Sequence, residues 1–168
     1  MLVFDFEKVK KRPFPFLKGQ VFTNGVFDLL HSGHIHVFKE CTHLAQQWGL
    51  QGHNELKVIV AVNGDESIRE LKGDTRPIMS LDERVEILSS IRYIDYIIKF
   101  DTKSVLPVIE EVCPQFLVKG GTYSVFSDNE EQEIVGQKFV EGCGGTVINT
   151  SLCDGVSTTN IIERIKNG

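Results

Sequence analysis

Two histidines three residues apart, His31 and His34, are the side chains of this sequence whose type and spacing suggest chemistry most directly. They stand in TNGVFDLLHSGHIHVFKE, where a short apolar run ends in Asn-Gly and a helical pattern begins. In a helix starting near Ser32 or Gly33, the two side chains project about 60° apart, on one face of the first turn. That turn has unpaired N–H groups and a partial positive charge. The pair therefore predicts a phosphate site.

Two other interpretations of these histidines remain open. In the first, both side chains are only helix caps or core residues and contact no ligand. The second is a metal site that includes His36. In a regular helix His36 lies about 140° round from His31 and about 160° from His34, so the three imidazoles cannot converge on one ion. We therefore expect no metal held by protein ligands.

A second polar cluster follows the last apolar run of the chain. The stretch GVSTTNIIERI, beginning at Gly155, places a glycine and three hydroxyls at the start of a helical pattern. One of Ser157, Thr158 and Thr159 is expected to cap that helix. Three consecutive hydroxyls exceed what capping needs, so the stretch predicts a second phosphate cradle.

Basic side chains beside glycines follow two of the apolar runs. LKGDTRP places Lys72 and Arg76 in a loop, and LVKGGTY places Lys119 at the end of a run. A single loop lysine is usually a solvated charge, but two beside glycines at strand ends indicate a ligand. Arg84 lies in a helical pattern, where an ordinary surface charge is the alternative interpretation.

Five short segments rich in Val, Ile and Phe alternate with helical patterns and must position these groups. The predicted strands are QVFTN, ELKVIVAV, YIDYIIKF, QFLVKG and GTVINTSL. The predicted helices are HIHVFKECTHLAQQW, LDERVEILSSI with Ser80 and Glu83 as a capping pair, KSVLPVIEEV, EEQEIVGQKFVEG and TTNIIERI. This alternation predicts an α/β fold, a Rossmann-like three-layer α/β/α sandwich with a five-stranded, mostly parallel sheet. In such sheets ligands bind beyond the carboxyl ends of the strands, where every polar cluster falls.

Length and composition favour one domain with a short extension. The chain has 168 residues, 41% of them hydrophobic, which suits a single core. Residues 1–19 are predicted to be an N-terminal extension packed onto a single domain that spans residues 20–168. Because the chain runs from Met1 to Gly168, we expect a stand-alone protein.

The net charge, the apolar runs and the cysteine pattern indicate which partners and which cellular compartment to expect. The formal net charge is −5, which argues against nucleic acid as a partner, since such binding requires a basic surface. No apolar run is long enough to span a membrane, and residues 1–20 lack the apolar core of a signal peptide. The four cysteines include no C-x-x-C pair, so we expect reduced, mostly structural thiols in a cytoplasmic protein.

Four stretches together resemble the cytidylyltransferase-like nucleotidyltransferases, and within them most closely the adenylyltransferase domain of ADP-heptose synthesis. They are FTNGVFDLLHSGH, AVNGDESIRELKGDTRPI, FLVKGGTY and DGVSTTNIIERI. The H-x-G-H motif, followed along the chain by G-V-S-T-T, is the evidence for the superfamily. LKGDTRP together with VKGG is the evidence for the heptose-type branch. The resemblance implies that a sugar 1-phosphate, here heptose 1-phosphate, attacks the α-phosphorus of ATP and that pyrophosphate leaves with Mg²⁺.

The same resemblance implies a role for each residue of the clusters. His31, His34 and Lys72 form the catalytic set, with the histidines on the triphosphate and Lys72 neutralising phosphate charge. The nucleotide-binding set comprises Val26, Phe27, His31, His34, Arg84, Lys119, Gly155, Val156, Ser157 and Thr158. Lys72 and Lys119 also contact the acceptor. Mg²⁺ is carried by the triphosphate, and because relatives are often dimers a homodimer is compatible with the resemblance.

The chain departs from the heptose-type pattern near the acceptor. Thr122 stands where that branch has an aspartate after KGG, and SVFSDNEEQ is altered as well. One alternative is a glycerol-3-phosphate or other polyol-phosphate cytidylyltransferase that uses CTP. Against it count Leu152 in place of an arginine and Gly121-Thr122 in place of an acidic pair. A different-class alternative is a non-catalytic nucleotide-binding module, which nucleotide binding without pyrophosphate release would favour.

Overall fold

A six-stranded parallel sheet forms the centre of the protein. The computed structural model describes residues 1–11, 15–121, 134–150 and 157–168. The strands are β1 (Leu2–Asp5), β2 (Val21–Gly25), β3 (Val58–Asn63), β4 (Tyr96–Phe100), β5 (Phe116–Gly120) and β6 (Thr146–Thr150). Their order across the sheet is β1-β4-β3-β2-β5-β6, and every neighbouring pair is parallel.

Helices cover both faces of this sheet. They are α1 (Phe6–Lys11), α2 (Ser32–Leu50), α3 (Asp65–Lys72), α4 (Leu81–Ser89), α5 (Leu106–Val112), α6 (Gln137–Gly142) and α7 (Thr158–Asn167). Strand β3 shows the layering, because alternate side chains point to opposite faces of a strand. Val58, Val60 and Val62 pack in the core under α2 and α4, whereas Ile59 and Ala61 pack in the core that α1, α5 and α6 cover. The predicted α/β/α layering is therefore confirmed.

The predicted strand number was wrong: the sheet has six strands, not five. The additional strand is β1, which lies within the predicted N-terminal extension and pairs with β4 in the register Leu2 to Tyr96. Its run LVFD is only four residues long and precedes a lysine-rich segment, which hid it in the sequence. Phe6 and Val9 of α1 are buried in the core, so this segment contributes to the packing of the domain.

The other predicted elements are present in their described parts. Ser80 caps α4 as predicted: its N–H donates to Oε2 of Glu83 at 2.8 Å, and the N–H of Glu83 donates to its hydroxyl at 3.4 Å. Helix α3 was missed because DESIRELK is short and mostly charged. Lys72 is the last residue of this helix, so its predicted place in a loop was wrong.

The order of the strands creates a crevice beside β2. Its neighbours are β3 on one side and β5 on the other, so the chain leaves β2 in one direction and later returns to its opposite side. Ligands of open α/β sheets bind at such a switch point, outside the carboxyl ends of the strands. None of the helices that the structure describes has the length and apolar character needed to cross a lipid bilayer.

Candidate active site at the carboxyl ends of the central strands

The two histidines lie on one face of the first turn of α2, as predicted. His31 is the N-cap residue, with an extended backbone of φ −143° and ψ 172°. The imidazole rings of His31 and His34 are stacked, with centroids 3.8 Å apart and planes inclined by 25°. The N–H of His31 donates to Nδ1 of His34 at 3.3 Å. Since Nδ1 accepts, the neutral ring of His34 carries its proton on Nε2, which can donate to a ligand.

Burial keeps both rings neutral at pH 7. Desolvation is the largest cause that lowers the pKa of His34 to about 4, and repulsion from a protonated His31 and from Lys72 lowers it further. Desolvation also lowers the pKa of His31. Nδ1 of His31 is buried and has no hydrogen-bond partner among the described residues. A buried polar atom without a partner at a helix N-terminus is a candidate ligand contact.

The ring of Phe27 packs against the ring of His34. Its ring is 5.2 Å from that of His34 in an edge-on arrangement and 5.4 Å from that of Phe38. Its φ of 52° lies in the left-handed region, which is uncommon for a residue other than glycine. This backbone turn lets the chain leave β2 and reach His31. The side chain of Phe27 therefore supports the site, and only its backbone is available for the predicted nucleotide contact.

Asp28, which sequence reasoning did not single out, connects the loop before α2 to the loop before α4. Its carboxylate is 1% exposed. Oδ2 accepts from Nε of Arg76 at 2.7 Å, and Oδ1 accepts from the N–H groups of Ile78 and Met79 at 2.9 and 2.8 Å. Burial, the largest influence, raises the pKa of Asp28, but these hydrogen bonds and the Arg76 charge outweigh it and lower the pKa. Arg76 thus stabilises the contact between these two loops.

Lys72 lies next to this connection. The charges of Arg76 and Asp28 both act on its ammonium group, and its own charge acts on His34. Desolvation is the largest cause that lowers the pKa of Lys72, Arg76 lowers it further, and Asp28 opposes both. Lys72 therefore lies within electrostatic range of His34, and its catalytic role stays a prediction.

Arg84 is a buried clamp, and its interpretation as an ordinary surface charge was wrong. Its side chain is 0% exposed. The guanidinium donates to four oxygens: the carbonyls of Met79 (3.2 Å), Val26 (2.7 Å) and Asn63 (2.8 Å) and Oδ1 of Asp65 (2.7 Å). These bonds fix the backbone just beyond β2 and β3. The carbonyl of Val26 is thereby occupied, and phosphate contact by Arg84 stays a prediction.

Lys119 stands at the switch point itself. Its Nζ donates to Oδ1 of Asn24 at 2.5 Å, which joins the ends of β5 and β2. Desolvation lowers the pKa of Lys119 to about 8. The adjacent Gly120 is required by close packing, because a Cβ there would lie 2.6 Å from Cγ2 of Val37 in α2. Helix α2 therefore lies directly on the end of β5.

A cavity of about 570 Å³ opens beside Lys119. Its lining includes Asn24, Asn63, Leu71, Lys103, Ser104 and Lys119. A further cavity of about 380 Å³, between α1 and the end of β4, contains none of the predicted site residues. Within the described ranges, no group of three His, Cys, Asp or Glu side chains is placed to hold a metal ion.

The start of α7 adjoins the histidine loop. Ser157 is the N-cap, and its hydroxyl accepts from the N–H of Asn160 at 3.0 Å, so the predicted capping by one hydroxyl is confirmed. The hydroxyl of Thr158 lies 3.5 Å from the carbonyl oxygen of Leu29, to which it donates. The start of α7 therefore contacts the loop that precedes His31. Gly155, Val156, Leu152 and Thr122 lie outside the described residues.

Two kinds of comparison relate the sequence to known proteins. A family model described as cytidylyltransferase-like matches residues 22–164. The bifunctional protein HldE of Alcanivorax borkumensis is 41% identical over 146 residues, which cover 87% of this chain and 27% of that protein. HldE of Geobacter sulfurreducens is 42% identical over 148 residues, which cover 88% and 27%. The chain thus spans about a quarter of the length of these curated relatives.

Solved structures show a similar fold. The lipopolysaccharide core biosynthesis protein of Thermoplasma volcanium superposes with a TM-score of 0.58 at 25% identity, covering 81% of this chain and 98% of that one. Pantothenate synthetase of Thermus thermophilus superposes with a TM-score of 0.52 over 90% of this chain and 61% of that one. At 14% identity this second likeness concerns the fold alone.

Proposed function

Since the chain belongs to the cytidylyltransferase-like family, we propose that it is a nucleotidyltransferase that joins a sugar 1-phosphate to the adenylyl group of ATP. A phosphate oxygen of the acceptor forms a bond to the α-phosphorus, and the bond from that phosphorus to the α,β-bridging oxygen breaks. Pyrophosphate departs with the electron pair of the broken bond. No covalent intermediate on the protein is needed, so the protein acts by position and electrostatics.

The observation that carries this proposal is the stacked, neutral histidine pair at the start of α2. Nδ1 of His34 accepts from the His31 N–H, so Nε2–H of His34 is the donor available to a phosphate oxygen. The unpartnered Nδ1 of His31 is a second polar contact at the same place. A donor that is held before the reaction stabilises charge as it develops on the α-phosphate, without reorganisation cost.

The remaining residues act around this pair. Lys72 is close enough to affect the pKa of His34, which suits neutralisation of phosphate charge. Thr158 brings the α7 N-terminus against Leu29, which suits contact with the triphosphate. Mg²⁺ travels with the triphosphate as part of the substrate.

Heptose 1-phosphate is the acceptor that we propose first. LKGDTRP and VKGG match the heptose-type branch, and HldE proteins are relatives at about 40% identity. The Thermoplasma protein acts, by its name, in the biosynthesis of a saccharide. We place the reaction in the cytoplasm, where ATP is available, and retain a homodimer as a prediction that light scattering tests.

Pyrophosphate release is the decisive measurement. ATP, CTP, GTP and UTP are each combined with Mg²⁺ and either heptose 1-phosphates or glycerol 3-phosphate. Turnover with ATP and a heptose 1-phosphate is the expected result. Turnover with CTP and glycerol 3-phosphate would keep the mechanism but replace both substrates. Nucleotide binding without pyrophosphate release from any pair would identify a non-catalytic binding module.

A further inference from the structure

Two thiols outside the candidate active site lie side by side at the amino ends of β5 and β6. Cys113 is the C-cap residue of α5, and Cys143 is the C-cap residue of α6. Each stands three residues before a paired strand residue, since Phe116 of β5 pairs with Thr146 of β6. Because neighbouring strands lie about 4.8 Å apart, this shared offset brings the cysteines next to each other. Their side chains meet: the thiol of Cys113 donates a hydrogen bond to the sulfur of Cys143.

Each cysteine is held by the helix that it ends. The N–H of Cys113 donates to the carbonyl of Ile109 in α5 at 2.7 Å. The N–H of Cys143 donates to the carbonyl of Phe139 in α6 at 3.0 Å. Helices α5 and α6 pack against each other on the same face of the sheet. The backbone on both sides of the thiol contact is therefore fixed by the fold.

The two segments that follow the cysteines approach each other closely. The N–H of Thr146 donates to the carbonyl of Gln115 at 2.8 Å, which extends the ladder of β5 and β6 toward the thiols. A Cβ on Gly145 would lie 2.6 Å from the carbonyl oxygen of Pro114, so the backbones touch at this point. A disulfide requires two Cα atoms about 4.4–6.8 Å apart. Adjacent positions on neighbouring strands meet this requirement, so the bond can form without backbone rearrangement.

The two thiols differ in their access to solvent. Cys143 is exposed, whereas Cys113 is half-buried. Desolvation is the largest cause that raises the pKa of Cys113, its hydrogen bond to Cys143 and the charge of Cys143 raise it further, and Lys18 opposes them. Cys143 is therefore the sulfur that an oxidant in solution meets first, with Cys113 behind it as a neutral thiol. Cys41, in contrast, is fully buried in the core.

We propose that Cys113 and Cys143 form a reversible disulfide, a redox modification site that stabilises the domain and lies away from the candidate active site. The oxidant is a low-molecular-weight disulfide such as oxidised glutathione. This inference goes beyond the proposed function and is independent of it, because no step requires turnover. In a reducing glutathione pool both thiols stay reduced, and they are oxidised when the share of oxidised glutathione rises.

The oxidation proceeds by two thiol–disulfide exchanges. The thiolate of Cys143 attacks one sulfur of oxidised glutathione, the S–S bond of glutathione breaks, and one glutathione thiolate leaves with the electron pair. The thiol of Cys113 then loses its proton, its sulfur attacks the sulfur of Cys143, and the second glutathione thiolate leaves. The two protons of the protein thiols end on the two glutathione thiols. One protein disulfide is thereby formed while one glutathione disulfide is reduced.

The new bond closes residues 113–143 into a loop that contains β5 and α6. Such a cross-link stabilises a protein mainly by restricting its unfolded chain. For a loop of about 30 residues in a chain of this size, Tm should rise by about 5–10 °C. The bond joins the amino ends of the strands, whereas the candidate active site lies at their carboxyl ends, so its effect is on stability.

Peptide mapping in glutathione buffers tests the proposal on the full chain. The protein is equilibrated at increasing ratios of oxidised to reduced glutathione, the remaining thiols are alkylated, and the digest is analysed by mass spectrometry. We expect a peptide that links Cys113 to Cys143 to become the main product, while Cys41 is alkylated only after unfolding. If both cysteines remain free thiols, or end only as glutathione adducts, the inference is overturned.

Cys113→Ser and Cys143→Ser separate the two roles, and Cys153→Ser is the control. Cys113→Ser should accumulate an adduct of Cys143 with one glutathione, because the second sulfur is missing. Cys143→Ser should react at Cys113 about 10-fold or more slowly, because that thiol is less accessible and its pKa is raised. Cys153→Ser should still form the linked peptide. A linked peptide that contains Cys153 in place of either partner overturns the inference.

Thermal unfolding measures the effect on stability. The oxidised protein should unfold about 5–10 °C above the reduced protein, and this difference should vanish in Cys113→Ser and remain in Cys153→Ser. A linked peptide with an unchanged or lower Tm overturns the inference, because the bond would then distort the fold. The redox titration of the unsubstituted protein needs no variant, so its result stands even where a variant fails to fold. Neither experiment measures pyrophosphate release, so failure of the proposed function leaves these outcomes unaffected.

Discussion

Two neighbouring regions of the site differ in whether their polar groups have protein partners. In the network of Asp28, Arg76 and Arg84, both carboxylate oxygens and all three nitrogens of the Arg84 guanidinium have protein partners. In the histidine pair, Nδ1 of His31 has no partner and Nε2–H of His34 is left as a donor. Satisfied buried groups hold a scaffold, whereas unsatisfied ones cost stability unless a ligand completes them. The network therefore stabilises the site, and the histidine pair is where we expect the ligand to bind.

The largest expected effect comes from breaking the scaffold. Arg84→Met leaves Asp65 and the carbonyls of Val26 and Asn63 without their donor, so the free energy of unfolding should fall by about 3–5 kcal/mol. Urea denaturation followed by circular dichroism measures this change. Arg69→Met is the control, because Arg69 forms an exposed pair with Glu66 that is worth less than about 1 kcal/mol. Equal losses in both variants would contradict the assignment of Arg84 to the scaffold.

The next effect should appear in catalysis without a comparable loss of stability. His34→Ala removes the Nε2–H donor, so kcat should fall about 10²–10³-fold, as when one oxyanion-hole donor is lost. His36→Ala is the matched control, because His36 belongs to the same helix but lies outside the stacked pair. Pyrophosphate release and thermal unfolding are measured on both. A His34→Ala protein that unfolds instead would return this histidine to a structural role.

A smaller effect, on both stability and catalysis, should follow from a change at Asp28. Asp28→Asn keeps an acceptor oxygen but removes the charge that faces Arg76, which should lower the free energy of unfolding by about 1–3 kcal/mol. Because the carboxylate also positions the loop that follows Lys72, kcat should fall more than KM rises. Asp82→Asn, in the exposed first turn of α4, is the control. Unchanged kcat in Asp28→Asn would show that this connection does not position Lys72.

The most specific expected effect is a pH dependence of stability. The pKa of His34 is lowered from 6.5 to about 4, so the unfolded chain binds a proton on this residue at a higher pH than the folded chain does. Its contribution to stability is complete above about pH 6.5 and is lost as the pH falls toward 4. Urea denaturation at several pH values should show a shallower slope in this window for His34→Gln than for the unsubstituted protein. Identical slopes would contradict a neutral, buried His34.

Prediction succeeded where the signal was local. The pairing of His31 with His34 follows from a spacing of three in a first helical turn, and the capping pair of Ser80 and Glu83 follows from the same kind of rule. The alternation of five apolar runs with helical patterns was enough to predict a parallel sheet with two covered faces. The H-x-G-H and G-V-S-T-T motifs, each a short local pattern, supplied the family.

Prediction failed where the deciding contacts join distant parts of the chain. Arg84 contacts Val26, 58 residues away, and Asp28 contacts Arg76, 48 residues away. Each looks like an ordinary surface charge in its own segment, because the spacing of residues along a helix says nothing about an oxygen on another element. Strand β1 was missed for the same reason: a four-residue run becomes a strand only because β4 offers it an open edge.

The sequence by itself determined the chemistry that is available at this site: imidazoles at a helix start, hydroxyls at another, and lysines beside glycines. Those properties depend on residue type and on spacings of a few residues, which backbone geometry converts directly into positions. Only the tertiary structure decided which charges are neutralised and which remain for a ligand. That outcome depends on burial and on partners tens of residues away, such as Asp65 for Arg84 and Asn24 for Lys119. Lys103 and Lys119, for example, line the same cavity only in the folded chain.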